Sequence, residues 1–152
     1  MKSHPAYSTS IVAAGEINDR YRHDNPAQTI GYPMGSLQGL YMAAELMKIA
    51  GLNVYAYRGA HGQSLEMATG YYGCFAKYAG FRKVVTAENS RTCLDATQYL
   101  GTIVNGVETN VLIGAYRFPD DDALLALDAP AKATFVRSAF SLEPILFGKW
   151  RD

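Results

Sequence analysis

The stretch Pro33-Met34-Gly35-Ser36-Leu37-Gln38-Gly39-Leu40-Tyr41-Met42-Ala43-Ala44-Glu45-Leu46-Met47-Lys48-Ile49-Ala50-Gly51 decides the fold class. Its apolar residues Leu37, Leu40, Tyr41, Ala44, Met47 and Ile49 recur at helical spacing rather than at the alternation of a strand. Pro33 suits a first helical turn, where its missing N–H is no loss, and Gly51 suits the position just past a helix end. A second helix is expected from Ser64, an N-capping residue type, with Leu65, Ala68, Tyr72, Phe75, Ala76 and Ala79 on its apolar side and Gly80 behind it. The connector from Asn53 to Ala60 has ordinary length, so helices over 33–50 and 62–79 are expected to pack as a hairpin.

Outward from this pair the same period continues. Upstream, Ser8 to Arg22 carries Ile11, Val12, Ala14 and Ile17 and reads as a helix, followed by a polar, Pro-containing loop from His23 to Thr29. Downstream, a loop through Val84, Val85 and Thr86 leads to an expected helix from Asn89 to Val104, with Cys93, Leu94, Ala96, Leu100 and Ile103 on its apolar face. Another helix is expected from Glu108 to Tyr116. The acidic run after Pro119 marks the start of a short one through Leu127, and Pro130 opens a last segment through Phe140. The tail from Pro144 to Trp150 is apolar enough to dock. The fold class is therefore all-α, antiparallel helical hairpins in a single domain over residues 1–152, with no fixed repeat and no linker.

Composition narrows the function classes. A chain of 152 residues with 49% apolar content suits one globular domain and not disorder. With 14 Lys+Arg against 14 Asp+Glu, the electrostatic case for nucleic acid or an anionic membrane is missing. No apolar run approaches the ~20 residues that span a bilayer. The opening Met1 to Ser10 lacks the apolar stretch of a signal peptide.

Cys74 and Cys93 have no metal-ligand spacing. They read either as two buried thiols or as a staple between adjacent antiparallel helices, and in both cases they are expected near one level of neighbouring helices.

Phosphate-loop, dinucleotide and zinc-protease motifs are absent, and Asp120, Asp121 and Asp122 read as a helix start in preference to a cation site. No cofactor or metal is called for. What remains is a polar and aromatic cluster in or beside loops: Gln28, Tyr32, Tyr55, Tyr57, Arg58, His61 and Gln63. Its bland reading is ordinary turn chemistry, with Tyr32 placed before Pro33 and His61 exposed beside Gly62.

The run Gly31-Tyr32-Pro33-Met34-Gly35-Ser36-Leu37, continuing through Ala43-Ala44-Glu45-Leu46 to Gly51-Leu52-Asn53-Val54-Tyr55, resembles the C-terminal half of the alginate-lyase-like polysaccharide lyases. Gly62-Gln63-Ser64-Leu65 and Tyr71-Tyr72 fit the continuation, and the likeness covers Asp24 to Gly80. The resemblance implies an incomplete (α/α) toroid and cleavage of a polyuronate, of alginate or glucuronan type, by β-elimination. It implies Tyr32 as acid/base, with Arg58 and His61 beside it as catalytic partners. Gln28 and Arg22, with Tyr55 and Tyr57, are then candidates for substrate binding. The expected partner is an acidic polysaccharide, together with a missing N-terminal half or a second copy of the chain, and the implied location is periplasmic or secreted. Two departures stand out: no Asn-His dipeptide occurs, and Pro26 and Gln28 stand where one branch of the family has Arg. A non-catalytic carbohydrate-binding module and a helical interaction module are the alternatives.

Overall fold

The first long helix, α1, runs from Gly31 to Ile49, so Pro33 sits in its first turn as expected. Its end is a left-handed glycine stop. Gly51 has φ +86° and donates to the Lys48 carbonyl at 3.0 Å, and Leu52 donates to the Met47 carbonyl at 2.8 Å. Those two bonds satisfy carbonyls that a helix end otherwise leaves open. The structure, a computed structural model, describes residues 15–17, 30–93 and 99–134.

A single 3₁₀ turn, Val54–Ala56, follows, and then α2 from Leu65 to Tyr78. Ser64 caps α2 by accepting the Met67 N–H at 3.0 Å, and Gly80, at φ +92°, closes its other end. The two helices are packed together, with the Tyr41 hydroxyl 2.5 Å from Thr69 Oγ1. Two further helices, α4 (Val107–Arg117) and α5 (Asp122–Thr134), form the second pair, with a six-residue α3 (Ala87–Thr92) before them.

Side-chain neighbours give the directions. Along α4, Asn110 reaches the Met34 carbonyl, Gly114 faces the Tyr41 hydroxyl and Arg117 pairs with Glu45, so α1 and α4 ascend together. Thr69 lies at Gly114 while Gly73 lies at Val111, so α2 runs the opposite way. Leu124 of α5 stands against both Gly114 and Gly73, and Leu127 against Gly73, which places α5 beside α2. The result is two αα-hairpins stacked in the same sense. Gly114 is the meeting point: a Cβ there would stand 2.7 Å from Thr69 Cγ2, 3.2 Å from Leu124 Cδ1 and 3.2 Å from the Tyr41 hydroxyl.

Three expectations are corrected. Of the helix expected from Asn89 to Val104, α3 is capped by Thr86 and stopped at Cys93, and residues 94–98 lie outside the described residues. Beyond Gly101 (φ +77°), Thr102, Ile103 and Val104 are extended and pair with Lys83 to Val85: Val85 donates to Thr102 and Val104 to Lys83, both at 2.8 Å. β-Branched residues opposite Val84 and Val85 gain more from this pairing than from helix. Pro130 lies inside α5 and does not open a new helix. Its ring removes one backbone donor, yet Leu124, Leu127 and Ala131 bury one face on both sides of it. Third, Gly15 to Ile17 fall within the helix expected over Ser8 to Arg22 but are not helical. Gly15 has φ +93° and lies so close to Met67 that a Cβ would stand 2.7 Å from the Met67 carbonyl oxygen. The rest of that segment, the continuation through Phe140 and the tail at 144–150 lie outside the described residues.

The core is unusually rich in tyrosine. Tyr41, Tyr72 and Tyr99 are fully buried, and Tyr71, Tyr72, Phe75 and Tyr99 meet edge to face with ring centroids 4.9 to 6.4 Å apart. Buried phenols need partners. Tyr99 donates to Glu16 at 3.0 Å and lies 3.2 Å from the Tyr72 hydroxyl, which accepts the Ile17 N–H at 3.1 Å. That network holds Glu16 and Ile17 to α2.

Candidate functional site

α1 has two contrasting faces. Met34, Leu37, Tyr41, Ala44 and Glu45 are buried toward the other helices. On the opposite side Tyr32, Gly35, Ser36, Gly39 and Ala43 are all exposed. Tyr32 is 36% exposed, and a Cβ placed on Gly31, Gly35 or Gly39 would meet no atom within 4 Å. Tyr32 therefore starts an open, shallow face lined by residues with almost no side chain. The open space beside it is a consequence of composition: any larger residue at positions 35 and 39 would fill it.

The connector between α1 and α2 is built differently. Tyr55 is buried, and its hydroxyl donates to Glu45 Oε1. Arg117 binds the other oxygen of Glu45 at 2.5 Å, and its guanidinium lies 5.3 Å from the Tyr55 ring centroid and 4.8 Å from that of Tyr116. Burial, then the hydrogen bond and charge of Glu45, push the Tyr55 phenol well above its ordinary range. Tyr55 is thus a neutral donor that orients Glu45, and its packing against Tyr41 and Phe118 leaves it no sugar-stacking face.

Arg58 is exposed and fully engaged. It donates to the Tyr55 and Tyr57 carbonyls, both at 3.0 Å, and pairs with Glu66 at 2.5 Å. His61 is exposed, and its backbone N–H donates to Gln63 Oε1 at 2.9 Å. Gln63 is buried and so pins the loop through its backbone contacts. Tyr57 is 62% exposed and presents a ring to solvent. Gln28 and Arg22 lie outside the described residues.

The structure does not bring Tyr32 together with Arg58 and His61. Thr69 faces Tyr41, so Glu66, one turn earlier in the antiparallel α2, lies level with Ala44. Twelve residues of α1 at ~1.5 Å each separate that level from Tyr32, about 18 Å along the axis. Arg58 and His61 belong to the far end of the hairpin, where the connector is. The expectation that they contact or tune Tyr32 is corrected accordingly.

Three buried carboxylates, Glu16, Glu45 and Glu108, lie outside the expected set. Glu45 shares the apolar face of α1 with Tyr41 and Leu37, and a carboxylate in that register must find a buried donor. The helical period contained that signal, whereas its partner Arg117 is distant in sequence. Glu108, buried in the first turn of α4, is met by Arg82 Nε at 3.0 Å. Arg82 holds a left-handed backbone, φ +59°, in the turn that leads to Val84.

Among the described residues no group of three or more His, Cys, Asp or Glu side chains is placed to hold a metal ion. Asp121 caps α5, its Oδ1 accepting from Ala123 and Leu124 at 3.0 and 3.1 Å. No described helix is long and apolar enough to cross a membrane. No protein family, curated protein or solved structure matches the chain.

Proposed function

We propose that the chain is a polysaccharide lyase, or the C-terminal part of one, that cleaves an acidic polysaccharide of the alginate or glucuronan type with Tyr32 as acid/base. The observation that carries this reading is the setting of Tyr32. Tyr32 is 36% exposed in the first turn of α1, on the same helix as Gly31, Gly35 and Gly39, where the surrounding space is open. The stacking of two hairpins in one sense supports a toroid, which repeats that arrangement.

The chemistry asks for one residue on one face of the sugar. A base removes the proton at C5, alpha to the carboxylate, the C–H electron pair becomes the C4–C5 double bond, and the C4–O bond breaks. The proton taken from C5 is returned to the departing oxygen, so the base ends in the protonation state in which it began. Developing charge on the carboxylate must meet donors. Arg58 and His61 are too distant for this task, which falls instead to Gln28 and Arg22, the polar residues that precede Tyr32 in the chain.

The test is incubation of the chain with alginate and with glucuronan while ultraviolet absorbance of the unsaturated uronate is followed, for the native chain and for Tyr32→Phe. A rise that disappears in the variant supports the reading. The absence of an Asn-His dipeptide favours a second one, a carbohydrate-binding module, for which calorimetry would show binding without any rise. Neither binding nor turnover on any polyuronate removes both.

A further inference from the structure

Cys74, in α2, and Cys93, which ends α3, are joined by a disulfide with their Cα atoms 5.7 Å apart. α3 has six residues, fewer than a helix needs to persist on local energetics, because nucleation costs more than one turn of hydrogen bonds returns. Ser90 is its single buried residue, and its Oγ has no hydrogen-bond partner, so burial does little to hold this helix against α2. The base of the excursion is held in another way. Val85, just before the Thr86 cap, donates to Thr102 at 2.8 Å and accepts from Gly101 at 2.9 Å. α3 is thus a flap with a hydrogen-bonded base and a covalent fastening at its far end.

We infer that the Cys74–Cys93 bond is a redox-sensitive clasp, and that the chain takes its closed form in an oxidising compartment. Structural disulfides persist there and not where thiol reductants are abundant. Cys93 is 1% exposed, whereas Cys74 is partly accessible, so an incoming thiolate attacks at Cys74 and releases the Cys93 sulfur. A dithiol reductant supplies the two electrons and two protons: it becomes a disulfide, and Cys74 and Cys93 become thiols. The loop that opens has a sequence separation of 19. Closing a loop of that size restrains the open chain by about two orders of magnitude in its opening equilibrium. This inference is independent of the lyase reading and stands or falls separately.

The experiment is hydrogen exchange by mass spectrometry on the full chain, before and after dithiothreitol, with alkylation in denaturant to count thiols. The expected result is no alkylated cysteine in the air-oxidised chain and two after reduction. Reduction is then expected to raise exchange about a hundredfold in peptides covering Ala87 to Cys93, with little change in α1, α4 and the amides of Val85 and Val104. Cys74→Ala/Cys93→Ala, folded without any oxidant, should reproduce the reduced pattern. Free thiols in the oxidised chain, unchanged exchange in α3, or loss of protection throughout the molecule would each overturn the clasp.

Discussion

The two ends of α1 treat tyrosine in opposite ways. At the C-terminal end Tyr55 is sealed against Glu45 and Arg117, and Arg58 and the His61 N–H are answered from within the chain. At the N-terminal end Tyr32 is 36% exposed, on a helix whose Gly31, Gly35 and Gly39 have open space beside them. A phenol whose hydrogen bond is spent on a buried carboxylate contributes to the fold. A partly exposed ring beside exposed glycines leaves room for a ligand. The residue type is the same at the two ends; the difference lies in the local backbone and in what the rest of the chain brings to each.

Substituting Tyr32 tests the open end and carries the largest expected effect. Tyr32→Phe should lower elimination about 10²–10⁴-fold, the usual contribution of a positioned acid/base, while circular dichroism keeps its helical signal. Near-native turnover in the variant would take Tyr32 out of the chemistry.

The closed end should respond in stability. Arg117→Met leaves Glu45 as a buried carboxylate without its cation, which costs about 3–5 kcal/mol in urea unfolding. Glu45→Met/Arg117→Met together should cost less than Arg117→Met alone, because the buried charge is then gone from both sides. Equal or larger loss in the double variant would mean that the pair is not a closed electrostatic unit.

A pH series separates buried phenols from the open face. Burial raises Tyr41, Tyr55, Tyr72 and Tyr99 above their ordinary range. In the unfolded chain these phenols ionise from pH ~10, while the folded chain keeps their protons. The folded state then binds more protons, so stability is intact below that pH and falls as pH rises beyond it. The share of tyrosinate absorbance that belongs to these four phenols should appear together with loss of helical signal. Ionisation of all four phenols in a chain that stays helical would contradict their burial.

Arg58→Ala and His61→Ala carry the smallest effects. The Arg58–Glu66 pair is exposed, its side chains 47% and 32% accessible, so less than about 1 kcal/mol is at stake. Turnover should be unchanged in both variants, since both residues lie at the far end of α1. A large activity loss in either would show that a ligand spans the whole helix.

The sequence makes the hairpins legible where signals are local. Ser64, Gly51 and Gly80 mark helix ends by their own chemistry, and the structure has each in that role. Thr102, Ile103 and Val104 are different, because their conformation depends on Val84 and Val85 across a loop, and a pattern of apolar residues does not reveal a partner. Pro130 reads as a helix start because propensity treats it alone, while the continuous burial of Leu124, Leu127 and Ala131 keeps the helix going past it. The candidate site was grouped by nearness in sequence. A helix of 19 residues spans about 28 Å, so its start and the connector after it are necessarily apart. That arithmetic was available from the sequence. The exposure of Tyr32 and the pairing of Glu45 with Arg117 were not, since both depend on how the second hairpin docks.

The convergence at Gly114 also sets an order of events during folding. Tyr41 and Thr69 belong to one hairpin, Gly114 and Leu124 to the other, and their contacts at this point require both to be present. Each hairpin closes over a short connector and can form early, at little cost in chain entropy. Docking must wait until the intervening segment with α3 and the Lys83–Val104 pairing has brought α4 into place. A nascent chain that has emerged only as far as Tyr78 therefore exposes the surface around Thr69 and Gly73 that α4 and α5 later cover, and it remains sticky until the second hairpin is made.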